Sequence, residues 1–412
     1  MRTACFIYLF TCIGIATSAQ KIIITPGNNG PTVQQAIDRA NAGDTIIIKP
    51  GTYKQGNIRI TKPLVLVGES YPVLDGENKH EIMTIYGKDV TISGLKFINT
   101  GTASMNDVAA VKVYDGRRIN ISDNRFEDTF FAIHFSNSTE SIVQNNQLQA
   151  SATAEYEIGN GVHMWKCENM IIKNNQIRGH RDGIYFEFVT NSSITNNVSE
   201  ENIRYGLHFM FSHNDEYRNN AFINNGAGVA VMYTKKVKMY GNTFERNWGG
   251  SSYGLLLKDI ADSEVVGNRF IKNTTAIHIE GVSRTNFEGN DFSENGYAIR
   301  LQASSDQNVF RHNNFSSNTF DFATNGTMVL NTIDHNYWDR YQGYDLKRDG
   351  TGDIPYRPVN MYAMIVERIP SAVLLWRSFL VLLMDKAEKV IPVATPENLK
   401  DNAPSMKPYD RS

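Results

Sequence analysis

The sequence predicts an all-β fold, a right-handed parallel β-helix in which each coil of the solenoid takes about 22 residues. The first observation is a recurring asparagine that is followed within two residues by an apolar side chain. The second is another short motif that recurs in phase with it. The third is that these segments are short, alternate in polarity and are rich in β-branched and aromatic residues, as strands are. A fixed period of this length is typical of a solenoid.

One asparagine marks each coil from residue 124 onward. These asparagines are Asn124, Asn146, Asn175, Asn197, Asn220, Asn242, Asn268, Asn290, Asn314 and Asn336. Successive members are separated by 22, 29, 22, 23, 22, 26, 22, 24 and 22 residues. We expect each asparagine to lie at a corner of the coil, where it tolerates a left-handed backbone and its side chain satisfies backbone groups. Stacked asparagines are also expected to form a ladder inside the solenoid.

The second motif is a small residue followed by an apolar, a variable and another apolar residue. It begins at Ala132, Gly161, Gly183, Gly206, Gly228, Gly254, Ala276 and Ala298. Because side chains alternate along a strand, both apolar residues are predicted to face inward and the residue after each of them outward. The longer coils predict insertions near residues 150–159 and 247–252, and insertions in solenoids form loops, often on a binding face.

The residues before the regular repeats predict a cap for the open end of the core. Residues 32–42 have helical spacing of apolar side chains at Val33, Ala36, Ile37 and Ala40, and Gly43 is expected to end this helix. A solenoid requires such a cap. Strands are predicted to follow at residues 45–48, 64–67 and 90–92. We expect the β-helix to occupy residues 20–358.

The C-terminal part predicts a docking segment at residues 359–391 and a flexible polar tail at 392–412. Residues 371–384 are strongly apolar, with Arg377 in the middle, and are too short to span a membrane. An amphipathic helix is expected, which docks on a partner, lies at a membrane surface or packs on the end of the solenoid. Asp345, Asp349 and Asp353 are spaced as in a calcium loop, but Lys347 stands where a ligand is needed, which favours a hydrogen-bonded cap over calcium.

The first 19 residues predict a cleaved signal peptide, because Arg2 precedes an apolar stretch and small residues precede Gln20. Lipidation of Cys12 is an alternative interpretation. Cleavage leaves Cys167 as the only cysteine, so no intramolecular disulfide is expected. The formal net charge of −2 gives no electrostatic reason to expect nucleic-acid binding.

The outward positions of the second motif predict a local excess of histidine and methionine on one face. His163, Glu187, His208, Met210 and Met232 are expected on four successive rungs. His213 follows in the turn after them. Imidazole and thioether groups suit copper, especially Cu(I). The pattern therefore predicts a transient copper site, although single outward histidines are also ordinary surface residues.

Outward carboxylates, by contrast, are sparse on this face. Glu187 and Glu280 are four rungs apart, about 19 Å at the strand spacing, which is too far for a glycosidase pair. Asp182 is the best single acid candidate. We therefore expect a protein that is not an enzyme, with a carbohydrate lyase, epimerase or hydrolase as the alternative.

Three stretches of the sequence resemble the NosD family of periplasmic β-helix proteins. They are GLHFMFSHND at residues 206–215, RDGIYF at 181–186, and NYWD at 336–339 followed by GTGDIPYRP at 350–358. The resemblance covers essentially the whole chain after the predicted signal peptide. It implies a role in the maturation of nitrous-oxide reductase, together with an ABC transporter made of an ATPase and a permease.

The resemblance also implies what the partners and the cargo are. The C-terminal apolar segment would dock on the permease and hold the protein at the inner membrane, and a copper chaperone is a further expected partner. Copper for the copper–sulfur centre of the reductase would be handled at His208, Met210 and His213, which lie in the matching motif, with His163 and Met232 as spatial neighbours. A metal-free scaffold that holds the reductase against the transporter remains an alternative.

Overall fold

The computed structural model describes residues 20–27, 30–102, 107–151, 153–250, 252–326, 330–376, 378–390, 395–396 and 398–410. The predicted signal peptide, Cys12 and Arg377 lie outside the described residues.

Three parallel sheets run along the whole solenoid. Sheet 1 has 14 strands: Lys21–Ile24, Thr45–Ile48, Leu64–Gly68, Val90–Ser93, Asn120–Ser122, Ile142–Gln144, Ile171–Lys173, Ser193–Thr195, Glu216–Arg218, Lys238–Tyr240, Glu264–Val266, Asn286–Glu288, Val309–Arg311 and Thr332–Asp334. Sheet 2 has 12 strands: Ile58–Ile60, Met83–Lys88, Ala109–Arg117, Phe131–Ser136, Val162–Trp165, Asp182–Glu187, Tyr205–Met210, Ala227–Lys235, Tyr253–Ala261, Thr275–Glu280, Tyr297–Leu301 and Phe320–Thr324. Sheet 3 has 13 strands: Thr52–Tyr53, Val73–Asp75, Lys96–Ile98, Arg125–Glu127, Gln147–Gln149, Gln176–Arg178, Val198–Glu200, Ala221–Ile223, Thr243–Glu245, Arg269–Ile271, Asp291–Ser293, Asn314–Ser316 and Tyr337–Trp338.

The predicted fold class is confirmed, with about 13 turns and coils of about 23 residues. Inward side chains of all three sheets form one core along the axis. In sheet 3 the core includes stacked rings, with centroid distances of 4.6 Å for Phe244–Phe270, 5.0 Å for Phe270–Phe292 and 4.2 Å for Phe315–Trp338. Because each ring packs on the ring one coil away, the same side-chain type recurs at the same position of successive coils.

The recurring asparagines form the predicted ladder, with two corrections. The side-chain oxygen of Asn146 accepts hydrogen bonds from the backbone N–H and the amide of Asn124, at 3.0 and 3.2 Å, and the pattern repeats coil by coil. The left-handed backbone lies at the residue before the ladder asparagine, for example Asn145 with φ 55°. The ladder member near the end is Asn313, not Asn314, which starts a strand of sheet 3.

A second asparagine ladder, which the sequence analysis missed, follows five residues behind the first at the corner between sheets 3 and 2. Its members are Asn202, Asn225, Asn247, Asn273, Asn295 and Asn318. Each is buried and repeats the same hydrogen bonds. The signal was present as a fixed spacing of five residues after each ladder asparagine, beginning at Asn197.

The N-terminal cap is confirmed as a helix at Val33–Arg39, shorter than predicted. The side chain of Thr32 accepts a hydrogen bond from the backbone N–H of Gln35, and the Gln35 side chain accepts one from the backbone N–H of Thr32. The helix ends at Arg39, with Ala40 as its C-cap, before the predicted Gly43. The predicted strands of the first coils are present, two of them one residue longer than expected.

The predicted C-terminal segment is helical but divided. It contains helices at Met361–Arg368 and Phe379–Val390 and a 3-10 helix at Pro370–Leu375. The buried residues Tyr362, Ala363 and Val366 pack with Phe320 and Val381 in a small second core. The segment thus packs on the end of the solenoid through one side. No helix in the described ranges is long and apolar enough to cross a membrane.

The acidic loop at residues 345–353 directs its carboxylates to its own backbone. Asp345 accepts hydrogen bonds from the N–H groups of Asp349 and Gly350, and Asp353 accepts one from Leu346. Asp349 accepts one from Thr351. These bonds are those of the hydrogen-bonded cap that the sequence analysis favoured.

The polar tail differs from the flexible extension that its composition predicts. Asp401 is fully buried and accepts hydrogen bonds from the backbone N–H of Asn336 at 2.8 Å and the indole Nε1 of Trp338 at 3.0 Å. It therefore occupies the rung where the next ladder asparagine would lie. Tyr409 also exchanges two hydrogen bonds with the side chain of Asn314, so a segment whose composition is typical of disorder is held against the end of the solenoid.

Candidate functional site

The outer face of sheet 2 presents two columns of side chains in the predicted order. The first outward-facing residues of the strands form what we call the inner column, although it faces away from the core. On successive rungs it contains His134, His163, Tyr185, His208, Ala230, Leu256, His278 and Arg300. The outer column, two residues further along each strand, pairs Ser136, Trp165, Glu187, Met210, Met232, Lys258 and Glu280. Parallel pairing without a shift at these rungs fixes which side chains are neighbours.

The inner column forms a continuous stack of rings. His134 and His163 stack with centroids 4.6 Å apart and planes 10° apart, and His163 and Tyr185 with centroids 4.7 Å apart. His208 then meets Tyr185 edge-on at 5.0 Å. Although they face away from the core, His134 and His208 are only 5% and 7% exposed. Side chains from the strand starts and from loops therefore cover this face.

The predicted insertion at residues 150–159 leads directly into the strand that carries His163. The loop lies between Gln147–Gln149 and Val162–Trp165, and residue 152 is outside the described residues. At its end, the Asn160 side-chain amide lies 3.0 Å from Nδ1 of His163. Burial together with the adjacent His134 lowers the pKa of His163 to about 3. His163 is therefore neutral at pH 7, the form of imidazole that can bind a metal.

His208 lies among polar side chains that the strand start supplies. Its Nδ1 is 3.7 Å from Oδ2 of the buried Asp182, and neither ring nitrogen has a hydrogen-bond partner among the described residues. Nε of Arg204 lies 3.6 Å from the other Asp182 oxygen, and the Tyr205 ring lies 4.7 Å from the His208 ring. Sequence analysis noted Asp182 but missed Arg204 and Tyr205, which stand directly before the glycine of the motif.

The two methionines are direct neighbours in the outer column. Met210 pairs with Met232 on one side and with Glu187 on the other, and all three are half-buried. The Tyr185 hydroxyl donates a hydrogen bond to Glu187 at 3.2 Å. Burial and this carboxylate raise the pKa of Tyr185 to about 12. The structure thus brings His208, Met210, Met232 and Glu187 onto three adjacent rungs.

His213 does not join these columns. It lies beyond the end of the strand Tyr205–Met210, where it forms isolated bridges with Thr190 and Lys235. Its Nδ1 is 3.3 Å from the hydroxyl of Thr234. Burial and the nearby Lys235 lower the pKa of His213. The corner residues Phe211 and Ser212 separate it from Met210.

Carboxylates and imidazoles alone do not make a metal site in this protein. Among the described residues, no group of three or more His, Cys, Asp or Glu side chains is arranged to hold a metal ion. A metal on this face would need the thioethers of the outer column as well as imidazole. That donor set selects a soft ion.

A cleft of about 410 Å³ opens on the same face toward the N-terminal end. It is lined by Asp107, Lys112, Tyr114, His134, Ser136, His163, Trp165 and Glu187. Nε2 of His134 lies 3.6 Å from a carboxylate oxygen of Asp107. The cleft therefore adjoins the ring stack and ends at Glu187, where the methionine rungs begin.

Comparisons with known proteins find one family model and two curated relatives. Residues 145–344 match the model described as NosD, periplasmic copper-binding protein. A probable ABC transporter binding protein NosD from Stutzerimonas stutzeri is 26% identical over 379 residues, which cover 87% of this chain and 86% of that protein. The protein of the same name from Pseudomonas aeruginosa is 27% identical over 390 residues, 90% of each chain.

Solved structures share the fold. The catalytic unit of a GH87 alpha-1,3-glucanase from Streptomyces thermodiastaticus strain HF3-3 superposes with a TM-score of 0.59 at 14% identity, over 75% of this chain and 66% of that one. At this identity the likeness concerns the β-helix alone.

Proposed function

We propose, since the resemblance to NosD is confirmed, that this chain is a periplasmic accessory protein in the maturation of nitrous-oxide reductase. It acts with an ABC transporter, made of an ATPase and a permease, in the assembly of the copper–sulfur centre. The comparisons with known proteins support this proposal in two ways. The matched family is described as periplasmic and copper-binding, and the relatives are named as probable ABC transporter binding proteins.

Copper is the cargo in this proposal, and one observation carries the site. His208 is buried, and neither of its ring nitrogens has a hydrogen-bond partner in the part of the chain that the structure describes. Met210 stands two residues further on the same face, with Met232 on the next rung. An orphaned imidazole beside paired thioethers fits Cu(I). His163 and Glu187 extend the proposed path along the two columns. His213 lies past the corner, and we propose that it binds copper as the ion leaves the site.

The exposed apolar side chains of the C-terminal helices are an argument for a membrane-embedded partner. Leu374 is 86% exposed and Phe379 is 79% exposed, while Tyr362 and Val381 on the opposite side pack against the solenoid. Apolar side chains in such positions mark an interaction surface. We propose that they dock on the permease. The alternative of a carbohydrate-active enzyme rests on the shared fold alone.

The copper proposal is tested by titrating the purified protein with Cu(I) against a competing chelator without oxygen. We expect the His208→Ala/Met210→Ala variant to lose the uptake that the wild type shows. The matched control is His278→Ala, since His278 lies in the same column, is 8% exposed, and has no methionine beside it. Equal uptake by wild type and double variant would contradict the site. No uptake by either would favour the metal-free scaffold.

A further inference from the structure

The outer column of sheet 2 contains an aromatic ladder with one ring missing. The rings of Tyr86 and Tyr114 stack on adjacent rungs, with centroids 5.5 Å apart and planes 14° apart. The next rung carries Ser136, which has no ring, and the rung after it carries Trp165. Tyr114, Ser136 and Trp165 all line the 410 Å³ cleft. The gap at Ser136 is therefore a slot with an aromatic residue on each side.

The spacing of the rungs sets what the slot can hold. Adjacent rungs of a parallel sheet are about 4.8 Å apart, so Tyr114 and Trp165 originate about 9.6 Å apart. Rings on adjacent rungs elsewhere in this protein stack at similar distances, for example 4.6 Å for Phe287–Phe310. One planar group between Tyr114 and Trp165 would therefore continue the ladder at its ordinary spacing.

The charges around the slot favour a cation. Asp107 and Glu187 contribute two carboxylates to the lining, and the single lining ammonium, on Lys112, is paired with Glu81 at 3.4 Å. The ammonium of Lys166 lies over the Trp165 ring, 4.3 Å from the centroid. This contact shows that the indole attracts a cation, although Lys166 also offsets part of the negative charge of the two carboxylates. The lining residue His134 is 5% exposed and its Nδ1 has no partner among the described residues.

We propose that this slot binds a planar cation, the guanidinium group of arginine. The group stacks between Tyr114 and Trp165 over Ser136 and donates hydrogen bonds to Asp107, while Glu187, on the far side of Trp165, adds negative charge to the same cleft. Guanidinium is planar, always charged and weakly hydrated, and it both stacks on aromatic rings and pairs with carboxylates. An ammonium shares the charge but not the planar shape. This site is independent of the copper proposal, although Glu187 borders both.

The test uses the full mature protein in the presence of a metal chelator, with ligand-observed NMR to measure affinity. The probes are arginine amide, citrulline amide, which keeps the planar shape without the charge, and lysine amide, which keeps the charge without the shape. The key variant is Ser136→Tyr, because its ring fills the slot and completes the ladder. Glu280→Tyr is the matched control in the same column outside the cleft.

We expect arginine amide to bind more tightly than both other probes. Ser136→Tyr should weaken its binding at least roughly tenfold, the loss of one cation–π contact and one charge-assisted hydrogen bond, while Glu280→Tyr leaves it unchanged. Equal binding of citrulline amide, or full binding by Ser136→Tyr, would overturn the proposal. The guanidinium group could belong to a protein partner or to a free small molecule, and a peptide with one internal arginine distinguishes the two. Tighter binding of the peptide than of arginine amide indicates a protein partner. Equal binding indicates a free guanidinium compound.

Discussion

Asp215 is a buried carboxyl group in a column where several other coils carry serine, threonine or asparagine and the rest carry an apolar residue such as Val237. It is 1% exposed, and its Oδ1 accepts a hydrogen bond from the backbone N–H of Ser192 at 2.7 Å. Its Oδ2 has no partner among the described residues. Burial raises the pKa of Asp215 to about 8, against an ordinary value of 3.8. The folded protein therefore keeps this carboxyl group protonated at pH 7.

The raised pKa predicts that stability falls as pH rises. Below pH 3.8 the group is protonated in both states and has no effect. Above that value the unfolded chain ionises while the folded protein does not, so stability is lost until pH passes about 8, where the loss is complete. At pH 7 the roughly three pH units above 3.8, at about 1.4 kcal/mol each, give a loss on the order of 4 kcal/mol.

Asn308 shows what an amide does in the same column. Its Oδ1 accepts the backbone N–H of Thr285 at 3.0 Å, and its amide donates to the carbonyl of Val282 at 2.9 Å. The carbonyl that corresponds to Val282 for residue 215 is that of Val189, which precedes Asp215 by as many residues as Val282 precedes Asn308. We expect Asp215→Asn to make both bonds and to stabilise the protein by up to a few kcal/mol at pH 7.

The assay is urea unfolding of the wild type and Asp215→Asn at several pH values between about 5 and 8. The wild type should lose stability across this range, and the variant should lose less. The difference between them should therefore grow with pH. Asp262→Asn is the control. Arg284 lowers the pKa of this exposed carboxyl group, so its ionised form stabilises the folded protein, and removing the charge should lower stability instead of raising it. A difference between wild type and Asp215→Asn that does not change with pH would refute the reasoning.

Two further predictions concern the C-terminal end, and each has its own measurement. Asp401→Ala should lower the unfolding free energy by about 2–6 kcal/mol in urea titrations, because it leaves two buried donors, on Asn336 and Trp338, unpaired. Asp401→Asn should retain part of this stability. If Asp401→Ala unfolds at the wild-type midpoint, Asp401 does not stabilise the end of the asparagine ladder. Leu374→Asp/Phe379→Asp should keep the wild-type midpoint, since both side chains are largely exposed, but weaken pull-down of the permease in detergent. Unchanged pull-down would exclude this surface as the docking site.

The coil pattern in the sequence was sufficient for the fold and for the rung order of sheet 2. Alternation within each strand determines which side chains face outward, and the repeat length determines which of them are neighbours. It could not separate Asn313 from Asn314, because two adjacent asparagines both fit the spacing. The second ladder was readable from the same spacing but lies outside the strands, where no alternation draws attention to it.

The environment of the candidate site could not be predicted in the same way. His134 and His208 face outward yet are buried, because residues such as Asp107 and Tyr205 lie over them. Such contacts depend on how loops and strand starts fold across neighbouring coils. The repeat length of the sequence carries no information about this. The order of the tail depends likewise on contacts with distant residues, among them the bond from the Asn336 N–H to Asp401 and the two bonds between Asn314 and Tyr409.

The Asp401 contact has a mechanical consequence for the helices between Trp338 and the tail. In addition to the packing of Tyr362, Ala363 and Val366 on the last coils, the segment is joined to the solenoid at both of its ends, after Trp338 and through Asp401. A load applied at Leu374 or Phe379 is shared between two attachments, and neither strand edge is pulled open alone. Two attachments also resist swivelling, so whatever grips these helices would hold the long axis of the rod at a fixed angle.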